Sequence, residues 1–244
     1  MILSKTQKFV LQQYDIKSRK EKTVKLILNA LTKYILGLII IGALLFLPAW
    51  TIRYYGAWLF IALLFIPMLI MGLVLFIKAP ELLEKRLNNK EKEKTQQGVI
   101  ALSGLMFPIG FILCATDFRF AWSSVPPWLV AVASVLFLIG YAMYAEVMRE
   151  NAYLSRTIEV QEGQKVISTG LYGIVRHPMY LATLLIFLPL PLILGSLWGL
   201  IPFSAYPVVT VIRILNEEKV LSEGLDGYAE YKTKVKYRLI PFIW

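Results

Sequence analysis

"YLATLLIFLPLPLILGSLWGLIPFSAYPVVTVIRIL" occupies residues 180–215 and carries a single charge, Arg213. A helix crosses a bilayer with roughly 20 apolar residues, so this run is too long for one crossing. Pro189, Pro191, Gly195, Gly199 and Pro202 fall near its middle. Proline there removes a backbone N–H and glycine permits a sharp turn. The run therefore predicts two helices joined by a tight re-turn, with a re-entrant pair as the alternative. Four further apolar runs stand at 34–50, 57–77, 99–116 and 128–147. Together they predict an all-α integral membrane protein of about six transmembrane helices.

Composition and charge agree with that reading. The chain is 57% hydrophobic and 17% charged, outside the range of an ordinary soluble domain. Lys and Arg favour cytoplasmic loops in membrane proteins. Eight basic residues lie in 1–33, six in 78–97, four in 149–179 and six from Arg213 onward, whereas the segments 51–56 and 117–127 hold one each. That asymmetry predicts an even number of crossings with both termini cytoplasmic. The net charge of +10 then follows from topology and anionic lipid headgroups, and no nucleic-acid partner is implied. Trp50, Tyr54, Tyr55, Trp58, Trp122 and Trp128 fit an outer aromatic belt. The single Cys114 excludes an intrachain disulfide and a multi-cysteine metal site; no metal is expected. The Lys-rich head reads as a surface helix or a disordered segment, and not as a signal peptide.

The chain divides into a basic cytoplasmic head (1–33), a four-helix membrane anchor that would shape an acceptor tunnel (34–148), and a core that gathers the polar chemistry (149–244). Glu146, Arg149, Asn151, Ser155, Arg156, Arg176, His177, Arg213, Glu217 and Glu218 all stand at apolar boundaries, where ionisable groups are costly and merit a functional hypothesis. Thr157–Val160 and Lys165–Ser168 alternate partly around Glu162-Gly163, as in a short hairpin or extended loop. Pro178 suits the first turn of a helix, which places His177, the one histidine of the chain, at that helix's cap. Arg213 and Glu217 are four residues apart and share a helix face, with Glu218 about 100° away.

Three stretches form an ordered set: "TGLYGIVRHPMYLA" at 169–182, "RILNEEKVL" at 213–221 and "GYAEYKTKVKYRLIPFIW" at 227–244. The pattern of Gly-x-Tyr, Arg-His-Pro-x-Tyr, Arg, Glu-Glu and Tyr-x-x-Tyr resembles the isoprenylcysteine carboxyl methyltransferase family and its relatives among phospholipid N-methyltransferases. The resemblance covers about 150–244. It implies a membrane enzyme that uses S-adenosyl-L-methionine without a Rossmann domain, in keeping with the lack of a Gly-x-Gly-x-x-Gly after a strand. It also implies a cytoplasmic cofactor-binding region. Tyr172, His177, Pro178, Met179 and Tyr180 would lie against the cofactor, as would the backbone of Gln164, Lys165, Val166 and Ile167. Glu217 and Glu218 would stand near the sulfonium, and Arg213 would place or activate the acceptor. Asn151, Ser155 and Arg156, which follow the fourth apolar run, are candidates for the acceptor entrance. Plainer readings stay open: an exposed Arg213–Glu217 pair, helix-end capping by Asn151, Ser155 and Arg156, Glu146 paired with Arg149, and an interfacial anchor at Arg176. For the tail, a surface helix on headgroups stands beside a lid over the cofactor.

Methyl transfer from a sulfonium is an in-line displacement that needs alignment and desolvation. A carboxylate acceptor is already ionised and could be held by an arginine. An amine acceptor must lose a proton, to Glu217 or Glu218, and Arg213 would repel its ammonium form. The expected acceptor is thus a membrane-embedded, lipid-like molecule, with a carboxylate such as a prenylcysteine-type group favoured. Phospholipid N-methylation, an NADPH-dependent membrane sterol-type reductase and a non-catalytic membrane scaffold are the alternatives. The sequence leaves O-, S- and N-methylation open.

Overall fold

The computed structural model describes residues 5–87, 94–154 and 160–244, with side chains from residue 20 and, in the second stretch, from 104. It forms two compact units, 1–39 and 40–244. Among the described residues there is no strand. Within 1–39 the chain is helical from Lys5, as the first part of α1 (Lys5–Ala49). The head is therefore a helix where it is described.

The second unit builds its membrane part from the end of α1, α2 (Tyr55–Lys78), α4 (Lys94–Phe120) and α5 (Pro127–Glu150). These match the apolar runs and extend beyond most of them. Among the described residues, Lys20–Ala49, Tyr55–Lys78 and Pro127–Glu150 are long and apolar enough to cross a membrane. The basic segment at 78–97, expected as a loop, contains α3 (Pro80–Leu87). Leu82 and Leu83 are buried there, and Leu82 packs with Val147, Met148 and Leu154.

The decisive run is broken further than expected. It forms α6 (Pro178–Phe187), α7 (Leu190–Ile193), α8 (Leu200–Phe203) and α9 (Ala205–Gly224). Two limbs do meet at a turn, but Pro189 falls between α6 and α7, where a proline cannot sustain the i to i−4 ladder, and Gly195 and Gly199 fall between α7 and α8. Gly195 takes φ 78°, a left-handed conformation that costs glycine little. The outbound limb, Pro178–Ile193, would reach about 24 Å as helix.

That turn is pinned by polar contacts. The Tyr54 hydroxyl donates to the Leu194 carbonyl at 2.7 Å. Asp117 is fully buried; it accepts from the Ser123 backbone N–H at 2.7 Å and from the hydroxyls of Ser123 and Ser196. The turn therefore meets the end of the bundle that carries the α1–α2 and α4–α5 connections. Between the ends lies an aromatic core that includes Phe60, Phe111, Phe137 and Phe203. Cys114 is buried beside it. α5 and α6 approach closely at Gly140, where a Cβ would stand 2.8 Å from the Ala182 carbonyl oxygen.

Candidate functional site

The site grows from the Arg-His-Pro turn at the opposite end of the hairpin. His177 caps α6 and Pro178 fills its first position, as the sequence predicts. No cap bond comes from the imidazole; its Nε2 lies 3.3 Å from Glu218 Oε1. The backbone N–H groups of Arg176 and His177 donate to the carbonyls of Tyr237 and Arg238, both at 2.9 Å. The chain following α9 thus returns to the start of α6.

A buried charge cluster locks that junction. Arg176 Nε donates to Glu218 Oε1 at 2.7 Å, and Arg238 Nε to Glu218 Oε2 at 2.9 Å. Arg176 Nη1 also reaches the carbonyls of Val235 and Lys236 at 2.8 and 2.9 Å. Arg176 is only 8% exposed, so it is an internal staple and not an interfacial anchor. Burial would raise the Glu218 carboxyl, but hydrogen bonds from His177, Arg238 and Arg176 outweigh it and hold the group down at about 2.

Beside this cluster is a cavity formed by the end of α5, the 164–167 segment, the Arg-His-Pro turn, α9 and α10 (Tyr228–Lys234). It is narrow, with a volume of about 100 Å³. Asn151, Gln164, Lys165, Val166, Ile167, Tyr172, His177, Pro178, Met179, Tyr180, Arg213 and Glu217 all line it. Glu218 departs from the expected set. It is not among the lining residues, because both its oxygens are taken up by the cluster behind the wall. The expected hairpin lies in part outside the described residues, as do Ser155 and Arg156, while Lys165–Ser168 forms no strand.

Within the cavity the polar groups are organised by tyrosines. The Tyr180 hydroxyl donates to Glu217 Oε2 at 2.6 Å and accepts from Arg213 Nε at 3.4 Å, so it stands between the two α9 side chains. Asn151 Nδ2 donates to the Tyr172 hydroxyl at 2.9 Å, and the Tyr231 hydroxyl to the Tyr172 carbonyl at 2.7 Å. Glu146 and Arg149 form an exposed pair away from the cavity, at 2.6 Å. Burial raises Tyr172 and Tyr228 and pushes Tyr231 up to about 12. These three phenols are neutral at physiological pH and can donate.

The sequence reading missed Tyr153, Leu154, Arg176, Leu221, Leu225, Tyr228 and Tyr231 as lining residues. The Tyr-x-x-Tyr spacing was the available signal, since residues three apart share a helix face. In α10 that face turns inward and both tyrosines are buried, while Lys234 is 69% exposed. A carboxylate beside a narrow, tyrosine-walled cavity suits a cationic small molecule with apolar parts.

Residues 128–226 match the family model described as phospholipid methyltransferase. That stretch is less than half of the chain, and the three apolar helices are long enough to cross a membrane. The chain is similar to mouse Delta(14)-sterol reductase, at 32% identity over 36% of this chain and 22% of that protein. It therefore spans about a fifth of that relative's length. It is also similar to the uncharacterized Bacillus subtilis protein YpbQ, at 24% identity over 64% of this chain and 96% of the relative.

Proposed function

We propose that the protein is an S-adenosyl-L-methionine-dependent methyltransferase acting on a membrane-embedded, lipid-like acceptor. The observation that carries this reading is the Tyr180–Glu217 hydrogen bond in the wall of a cavity that also gathers Gln164–Ile167, Tyr172 and His177–Met179. The cavity suits the cofactor: the Glu217 carboxylate favours a sulfonium, and buried phenols offer donors. The cofactor supplies an electrophilic methyl group on that sulfonium. Tyr180 holds Glu217 in one orientation, Arg213 orients the acceptor, and the apolar side chains Val166, Met179 and Leu221 exclude water.

The molecule would cross the membrane six times with both termini cytoplasmic, the cavity opening on the cytoplasmic face. The distribution of basic residues supports this, as does the position of the hairpin turn beside the two basic-poor connections. A carboxylate acceptor, such as a prenylcysteine-type group, is favoured by Arg213 at the cavity wall. Phospholipid N-methylation is favoured by the family match and by Glu217, which could accept the proton an amine must lose.

The test is binding of S-adenosyl-L-methionine to the full chain in lipid nanodiscs, followed by transfer of labelled methyl into lipid. Saturable binding is expected, with Glu217→Gln lowering methyl transfer about 100-fold or more. Label released as methanol by mild base identifies a carboxyl ester; base-stable label excludes it, and a product that binds a cation exchanger then separates N- from S-methylation. Binding of NADPH in place of S-adenosyl-L-methionine would instead favour the sterol-type reductase, in line with the mouse relative. Binding of neither would leave the membrane scaffold.

A further inference from the structure

Tyr228 is the first residue of α10, lines the cavity and is 4% exposed. Its ring packs in an apolar nest with Tyr231, Val166, Leu221 and Leu225. Its hydroxyl is buried and has no hydrogen-bond partner among the described residues. The neighbouring tyrosines differ: the hydroxyls of Tyr172, Tyr180 and Tyr231 are all bonded to protein. Buried polar groups are nearly always paired, and leaving one unpaired is costly. An orphan hydroxyl at a cavity wall is what a site presents when the missing partner belongs to its ligand.

Burial first, and then the carboxylates of Glu218 and Glu217, disfavour the ionised form of this phenol, so it remains a hydroxyl with a proton to give. Glu217, in the same wall, supplies negative charge for a cationic centre. One ligand can use both groups only if it joins a cation to a hydrogen-bond acceptor, as an adenosyl sulfonium does.

We infer that the Tyr228 hydroxyl donates a hydrogen bond to an acceptor atom of the bound cofactor, making α10 part of the cofactor site. This rests on the methyltransferase reading. Tyr228 then contributes to affinity and not to the chemistry of transfer, and α10 completes the site by binding directly as well as by covering it.

The experiment compares wild type and Tyr228→Phe, both as full chain in nanodiscs. S-adenosyl-L-methionine binding is measured by calorimetry, and the ligand-free unfolding midpoint is measured alongside. One lost hydrogen bond corresponds to about fivefold weaker binding. Removing an orphan hydroxyl keeps the ligand-free midpoint at or above wild type. Tyr231→Phe is the contrast: its hydroxyl has a protein partner, so its midpoint falls. Unchanged affinity in Tyr228→Phe would overturn the inference while leaving the methyltransferase reading intact. A lowered ligand-free midpoint would also overturn it, by revealing a protein partner. Absence of saturable binding in wild type would remove both the reading and the inference.

Discussion

Two buried carboxylates mark the two ends of the α6–α9 hairpin. At the turn, Asp117 is fully buried and satisfied by neutral donors, two serine hydroxyls and a backbone N–H. At the other end, Glu218 is held by two arginines and lies beside a histidine. In the Asp117 knot the donors and the acceptor satisfy one another, whereas the Glu218 cluster backs the wall of the cavity that carries Tyr228 and the Tyr180–Glu217 pair. Burial of polar groups is thus common to both ends. A cavity and a buried hydroxyl without a partner among the described residues are found together at one end, and they separate a site from a fastening.

Substitutions can break this contrast. The largest effect is expected from Glu218→Gln, which leaves Arg176 and Arg238 without their counter-charge; removing one partner of a buried ion pair costs about 3–5 kcal/mol. Chemical unfolding in detergent would read that loss, and cofactor binding should fall with it. The same group makes a pH prediction. Its folded value of about 2 lies below the ordinary 4.5, so its stabilisation is complete above 4.5 and is lost as pH falls toward 2. Wild type should lose stability across that window, and Glu218→Gln should lack this component.

Asp117→Asn should cost less, about 1–3 kcal/mol, as the penalty for a mismatched buried hydrogen bond. Calorimetry should find its cofactor affinity unchanged. Loss of binding would mean that the two ends are coupled. Tyr180→Phe is smaller in stability but specific in effect: freeing Glu217 should lower methyl transfer about tenfold, with the unfolding midpoint within about 1 kcal/mol of wild type. The smallest effect is assigned to Glu146→Ala, whose pair with Arg149 is exposed; neither midpoint nor binding should move.

Much of the helical membrane part was legible because apolar runs and their breakers act locally. The runs at 57–77 and 128–147 lie within α2 and α5, and the prolines of 189–202 marked the break. The number of pieces was not legible, since a proline says where a ladder fails and not how short the next helix will be. α3 was hidden because its buried face is only a leucine pair among charges. At the site, the spacing of Arg213 and Glu217 placed both on one helix face, and both line the cavity. It could not say which of two adjacent glutamates turns toward open space; that is decided by Arg176 and Arg238, remote in sequence from each other. The return of 235–238 onto Arg176 and His177 depends on backbone hydrogen bonds, which leave no periodic trace.

The Asp117 knot also has a mechanical meaning. Ser196, Leu194 and Leu197 tie the turn of the hairpin to Asp117, Tyr54 and Ser123, while its far end is closed by a separate set of bonds through Arg176 and Tyr231. The hairpin is thus fastened twice, by two sets of contacts that share no residue, and either can be cut without removing a bond of the other.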